Sequence, residues 1–488
     1  MIKPFSLILV LGFLFPQIST ASIHAIGLDK NLYTSDFMIG NVVVSIIFPE
    51  SNGLQDPNIE NWSEERKAQV LSEIMAGLDW WSRQNPRSKL TFTYVTETIG
   101  TKYEPVTRPY YDEALWIPEI MGQLGYSGTR WTSTRSYVNA LRNQYNADWG
   151  FVIFMVDSLK DNDGKFADSF FAYSYLGGPF CVMTYDNNGY GIANMDVVTA
   201  HETGHIFNAL DQYAGASSPY AYTNGYFPTI NGNHVYAATA NEPDSIMRGG
   251  IRWGLDQWTK LAIGWRDNDN NGRDDIVDQT PLLTLTQQGQ SSSDGATGFT
   301  GTAKVKVLAR QGNANGYGFT VDSIDKVEYR LRNNTWSTAD PSDGAYDGAE
   351  ENFVINIPAS QSTLGANAVI SSSDLDVRVV TSFSIYLGSS GTGTSTSGTL
   401  SDAHAYPNPY KPHSDPNHNF GVNFTALTPG SKVQVFTPSG ETIFEKTTDS
   451  TGTAVNWTTI DTVNSGVYFF LITDENGQKK KGKIAVIK

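Results

Sequence analysis

Only one cysteine, Cys181, occurs in 488 residues. An internal disulfide and a thiolate-rich metal site are both excluded, so stability must come from packing and bound ions. Positive charge is also scarce. A net charge of -16 leaves no basic surface to exchange counterions with phosphate, which argues against nucleic acid and anionic membranes as partners. Long apolar runs are missing except at the N-terminus, where Lys3 precedes Phe5 to Phe15 and the small residues Ser19-Thr20-Ala21. That run falls short of the roughly 20 apolar residues that span a bilayer. It reads as a cleaved signal peptide over residues 1–21, and the mature chain is expected outside the cytoplasm.

What is present is globular in character: 40% hydrophobic and 12% aromatic residues against 17% charged ones can bury several cores. At about 150 residues per domain, the length allows more than two domains. Residues 26–265 alternate strand-like and helix-like segments, beginning with the buried-strand pattern Val42 to Phe48. Asn61 or Ser63 can cap a helix that carries Val70, Ile74, Leu78 and Trp81 on one face. Leu90 to Thr96, Phe151 to Val156, Phe170 to Leu176 and Phe180 to Tyr185 read as further strands. The expected class is α/β (α+β).

From 280 to 388 the texture shifts to short β-rich runs such as Ala303 to Leu308, Val327 to Leu331 and Val377 to Val380, the pattern of a β-sandwich. Residues 389–402 form a linker of mostly Ser, Gly and Thr that cannot build a core. A second small all-β domain is expected over 403–488.

Chemistry concentrates in Met195 to Phe207, which contains His201-Glu202-Thr203-Gly204-His205. A spacing of four places both imidazoles on one helical face, where two neutral nitrogens can share a zinc ion. Glu202, one residue round the helix, can act as general base toward a water. A catalytic zinc usually takes a third protein ligand. The candidates are Glu242, His234 and Asp211, which lies six residues after His205.

The words HETGHIFNALDQY and SIMRG resemble secreted bacterial metzincin-like peptidases related to immune inhibitor A and the IgA-peptidase group. The metzincin pattern H-E-x-x-H-x-x-G-x-x-H/D implies that the chain turns back so that Asp211 reaches the metal. Asn208 stands where glycine is usual, yet asparagine tolerates the left-handed backbone. Asp244 to Arg248 resembles the Met-turn, implying that Met247 packs beneath the metal. Gly249 replaces the tyrosine that some metzincins carry two residues later. The resemblance further implies a cleft rimmed by an edge strand, for which Phe180 to Met183 is the candidate, offering substrate an added-strand partner.

Residues 266–279 hold a loop with Asp267, Asp269, Asn271, Arg273, Asp275 and Asp278 at positions 1, 3, 5, 7, 9 and 12, and Gly272 at position 6. This is calcium-loop spacing, closer to dockerin or thrombospondin-type loops than to a helix-loop-helix hand, since position 12 is Asp. A structural calcium is expected there. The final domain, through Ala405 to Tyr410, Val433 to Glu441, Ser465 to Phe469 and Gly482 to Lys488, resembles the type IX secretion sorting domain and the related flagellar-hook-capping immunoglobulin-like domain. That resemblance implies contact with an outer-membrane secretion machinery.

The sequence thus leads to a secreted, monomeric zinc endopeptidase acting on protein or peptide. The rival reading is a surface adhesin or glycan-binding protein built on a zincin-like scaffold.

Overall fold

A computed structural model gives the architecture of residues 24–26, 30–186, 189–237 and 243–290 and, with short breaks, of 296–358, 375–389 and 400–486. The expected signal peptide, Glu242 and most of the Ser/Gly/Thr linker lie outside the described residues. The chain forms two compact units, the first comprising residues 1–279, 305–323 and 347–349 and the second the remainder. The whole is multidomain and α+β.

The first unit is built on a five-stranded mixed sheet. Strand β1 (Asn41–Ser51) is an interior strand, followed by α1 (Glu64–Gln84), β2 (Thr91–Thr101), α2 (Glu113–Gln123), α3 (Arg130–Tyr145), the central β3 (Trp149–Val156), β4 (Ala172–Ser174) and β5 (Phe180–Thr184). Their order across the sheet is β2-β1-β3-β5-β4, parallel except for β4, which runs antiparallel at the edge. Such a sheet must be covered on both faces, which explains why β1 and β3 are apolar runs rather than alternating ones.

On one face Val43, Ile47, Val152 and Phe154 pack against Trp116, Ile117 and Ile120 of α2 and Tyr137, Val138 and Leu141 of α3. Helix α1 starts at Ser63, whose hydroxyl accepts from the Arg66 amide, and buries Val70, Ile74, Leu78 and Trp81 as their spacing predicts. It packs on α4 (Met195–Ile206) with almost no gap. A Cβ on Gly77 would stand 2.3 Å from the Asp196 carbonyl oxygen, so glycine is required for this approach. Trp81 Nε1 donates to the Ala200 carbonyl at 2.9 Å across the same interface. Among the described residues no helix is long and apolar enough to cross a membrane.

The expected boundary at 280 is not a clean cut. Gly318–Thr320 pairs antiparallel with His24–Ile26, and Phe319 meets Trp149 edge-on, with ring centroids 5.7 Å apart. Phe319 is fully buried, so removing its apolar surface from water draws 305–323 into the first unit.

In the second unit two four-stranded antiparallel sheets occupy the 280–389 region. One is built around Thr297–Lys304 and Glu350–Ile357, the other around Ile324–Leu331 and Leu375–Thr381. Burial alternates along Glu350–Ile357 and Leu375–Thr381, as strands with one covered face require. The C-terminal region adds a three-stranded and a four-stranded sheet around a core that includes Tyr410, Phe424, Trp457 and Phe470.

Candidate metal centre and its pocket

Helix α4 is buried almost all round, so His201, Glu202 and His205 are held by the core rather than displayed on a mobile surface. The two imidazole rings stand 4.9 Å apart and nearly perpendicular. His201 Nδ1 lies 2.8 Å from the Ile246 carbonyl oxygen and His205 Nδ1 lies 2.8 Å from that of Ala209. A carbonyl can only accept, so both Nδ1 atoms carry hydrogen, and in the neutral rings each Nε2 presents a lone pair. Those two Nε2 atoms point at one oxygen, Asp211 Oδ1, at 3.0 and 3.2 Å.

Two lone pairs and a carboxylate oxygen converging within 4.8 Å of one another make a donor set that suits zinc, with backbone carbonyls orienting both imidazoles from behind. Burial disfavours the charged form of Asp211. With the His205 and His201 rings protonated, their charge and Nε2 hydrogen bonds override that cost and hold its carboxyl well below the usual carboxylate range. Among the described residues His201, His205 and Asp211 are the sole cluster of this kind. His234, one of the competing ligands, is buried elsewhere, with its Nδ1 accepting from the Tyr236 amide.

The turn that returns Asp211 to the helix is a left-handed cap. Asn208 adopts φ +74°. Its amide donates to the His205 carbonyl at 2.9 Å, and the Ala209 amide donates to that of Gly204 at 2.9 Å. This paired closure usually uses glycine at the left-handed position. Asparagine is secured here because its Nδ2 donates to the Asp36 carbonyl. Asn231 then fixes the Asp211 carbonyl through its own Nδ2 at 2.7 Å.

Met247 is fully buried in the short 3-10 turn Ile246–Arg248. A Cβ on Gly204 would stand 2.5 Å from Met247 Sδ, so the glycine inside the histidine motif is the seat for the methionine beneath the centre. The Met247 carbonyl accepts from the Gln212 amide, linking this turn to the residue after Asp211.

Glu202 is 5% exposed. Ser174 Oγ donates to its Oε2 at 2.7 Å, a partner the sequence reading missed because it comes from β4. The expected rim, Phe180 to Met183, needs correction. It belongs to β5, buried along its whole length between β3 and β4, and the edge is Ala172–Ser174. The apolar run at 180–184 has the composition of an interior strand, whereas the edge is short and half-buried.

A cavity of about 370 Å³ opens beside His201 and Glu202, walled by Phe171, Ala172, Tyr190, Val197, Tyr213 and Arg248. Tyr213 packs over Gly249, where a Cβ would stand 3.2 Å from its ring. The space left by the absent tyrosine at position 249 is thus taken by an aromatic ring arriving from the other side. Cys181 is buried, and burial and the Glu202 carboxylate push its thiol well above the ordinary range, so it is no nucleophile.

In the acidic loop Asp267 accepts from the Asn271 and Gly272 amides, and Asn271 Nδ2 bridges Asp269 and Asp278. Loss of hydration, together with the Asp278 and Asp267 carboxylates, pushes Asp269 up to about 6. Asp267, Asp269, Asn271 and Asp278 are thus linked by hydrogen bonds, with the Arg273 guanidinium on Asp278, but their carboxylates do not come together as the histidine-aspartate centre does. Asp275 is engaged differently, by Arg266 Nε and the Asn268 amide. Arg87 and Asn85 pin the loop through Asp267 and Asp274.

Comparison with known proteins identifies one region. Residues 404–487 match the secretion system C-terminal sorting domain. That domain marks proteins exported by type IX secretion to the cell surface or the extracellular space, and it implies interaction with the type IX machinery. No curated protein matches the chain. Among solved structures, PorZ, an essential surface component of the type IX secretion system of Porphyromonas gingivalis, is 16% identical over 42% of this chain, with a TM-score of 0.18. This chain covers 30% of PorZ. OgpA from Akkermansia muciniphila is 9% identical over 75% of this chain and 93% of its own, with a TM-score of 0.22.

Proposed function

We propose that this protein is an exported zinc endopeptidase of metzincin type. Its catalytic unit would be followed by two immunoglobulin-like sandwich domains, the last of which directs export. The observation that carries the reading is the convergence of two Nδ1-anchored imidazoles and Asp211 beside the buried Glu202 carboxylate, at the edge of an open pocket. His201, His205 and Asp211 would hold the zinc. When bound, zinc supplies Lewis-acid polarisation and a more acidic water.

The chain's own groups do the rest. Glu202 takes a proton from water at a carboxylate oxygen, the water oxygen bonds to the scissile carbonyl carbon, and the same proton passes to the departing amine as the C–N bond breaks. Ser174 steadies the Glu202 carboxylate through Oε2. The edge strand Ala172–Ser174 offers an extended peptide a strand to pair with. A calcium ion in the 267–278 loop would replace the amide and guanidinium donors now among its acids and stiffen the anchor to Asn85 and Arg87.

The direct experiment measures zinc per molecule in the mature chain and its cleavage of an unstructured protein. About one zinc is expected, with activity lost on chelation and restored by zinc. Full activity in a metal-free chain would sink the reading.

A further inference from the structure

Arg248 is the one cation on the wall of the cavity beside Glu202. It is half-buried, and among the described residues its guanidinium has no ion pair and no side-chain hydrogen bond. Several other arginines of this unit face an acid, and Arg135, which does not, lies outside the cavity. Arg66 faces Asp157, Arg108 faces Asp56, Arg252 faces Asp244 and Arg266 faces Asp275. The nearest acid in sequence, Asp244, is thus already taken. Glu202 is not Arg248's partner either, since it is held by Ser174.

A guanidinium carries five donors in a fixed fork and cannot shed its charge. Apart from His201 and the Ser174-bound Glu202, the lining of this pocket is apolar or aromatic, with Phe171 and Tyr190 stacked 5.8 Å apart. Gly249 and Gly250 follow it with φ +69° and +74°, a backbone path that suits glycine, and the Tyr213 ring covers Gly249. The net charge of -16 repels acidic ligands at long range, so a lone cation in the lining of this pocket is a local exception.

We infer that Arg248 makes this pocket a receptor for an acidic side chain of the substrate polypeptide, at a residue flanking the bond to be cut. The inference rests on the peptidase reading for the bond, and on Arg248 alone for the acid. A carboxylate entering the pocket meets a charge-assisted, bidentate partner in a partly desolvated site. Glutamine, equal in shape, makes weaker hydrogen bonds there. The expected preference is about tenfold to a hundredfold.

The test uses two alanine hexapeptides that differ only in a central Glu or Gln. Turnover is read on the zinc-loaded mature chain as kcat/KM, and binding is read by calorimetry on Glu202→Gln, which does not need the reaction. A Glu-over-Gln preference of at least about tenfold is expected in both, falling to near unity in Arg248→Ala. Arg248→Glu should favour a Lys peptide instead. Equal binding of the Glu and Gln peptides, or a preference that survives Arg248→Ala, overturns the inference. If neither peptide is cut but Glu202→Gln binds the Glu peptide through Arg248, the peptidase reading falls and the acidic receptor stands. If both are cut and bound equally, the reverse holds.

Discussion

The histidine-aspartate centre and the acidic loop at 267–278 lie in the same folding unit and both gather metal-type donors, yet they are held in opposite ways. In the centre every donor is fixed from outside itself: the imidazoles by the carbonyls of Ile246 and Ala209, and the backbone of Asp211 by Asn231. In the loop the carboxylates of Asp267 and Asp269 are held by local turns, through the amides of Asn271 and Gly272, in a largely exposed segment. The first arrangement exists before any ion arrives. The second would be shaped by any cation that bound there. A preorganised site can position a reaction, while a cation-shaped one can only change stability.

The sharpest way to break this comparison is Glu202→Gln, which should lower turnover by about 10² to 10⁴ while zinc content stays level. Near-wild-type rates would place the base elsewhere. Next, Asp211→Ala should weaken zinc binding at least about 100-fold, because losing a direct ligand costs more than losing a supporting group. Asp211→His should retain the metal, and equilibrium dialysis against a zinc buffer reads both variants.

The loop should respond in a different observable. Calcium at about 100 times its Kd should add about 2.7 kcal/mol of stability, seen as a raised Tm and lost in Asp269→Ala or Asp278→Ala, with zinc content unchanged. A calcium-dependent turnover rate at constant folded fraction would contradict the division of labour. The smallest effect is expected at Ser174. Ser174→Ala removes one hydrogen bond to Glu202 and should slow turnover about tenfold without altering zinc affinity. Loss of zinc in that variant would show that the serine supports the fold of the centre rather than its base.

Much of the centre was legible in the sequence because its parts are close together along the chain. The spacing of His201, Glu202 and His205 is a local helical property, and Asp211 follows after a single turn. The helix face of Val70, Ile74, Leu78 and Trp81 was legible for the same reason. Ser174, the true edge strand and the ring of Tyr213 over Gly249 were not, because each depends on which strand or loop lies beside which in space. The apolar stretch Phe180–Thr184 cannot by its own composition announce whether it is flanked on one side or two. Nor can the 305–323 segment, embedded between β-rich runs, reveal that Phe319 completes an aromatic cluster around Trp149.

The two bonds that fix the imidazole tautomers end on main-chain oxygens, and this has a bearing on how the protein can evolve. Where a metal-binding histidine is oriented by an aspartate or glutamate, a single codon change can release it. Here the acceptors at Ala209 and Ile246 belong to the peptide backbone and persist whatever side chain those positions carry. Drift at 209 and 246 is therefore free to adjust packing under the helix without disturbing proton placement on either ring. Only a change in the path of the chain itself, such as the loss of the left-handed turn at Asn208 or of the Gly204 seat for Met247, can untune the centre from behind.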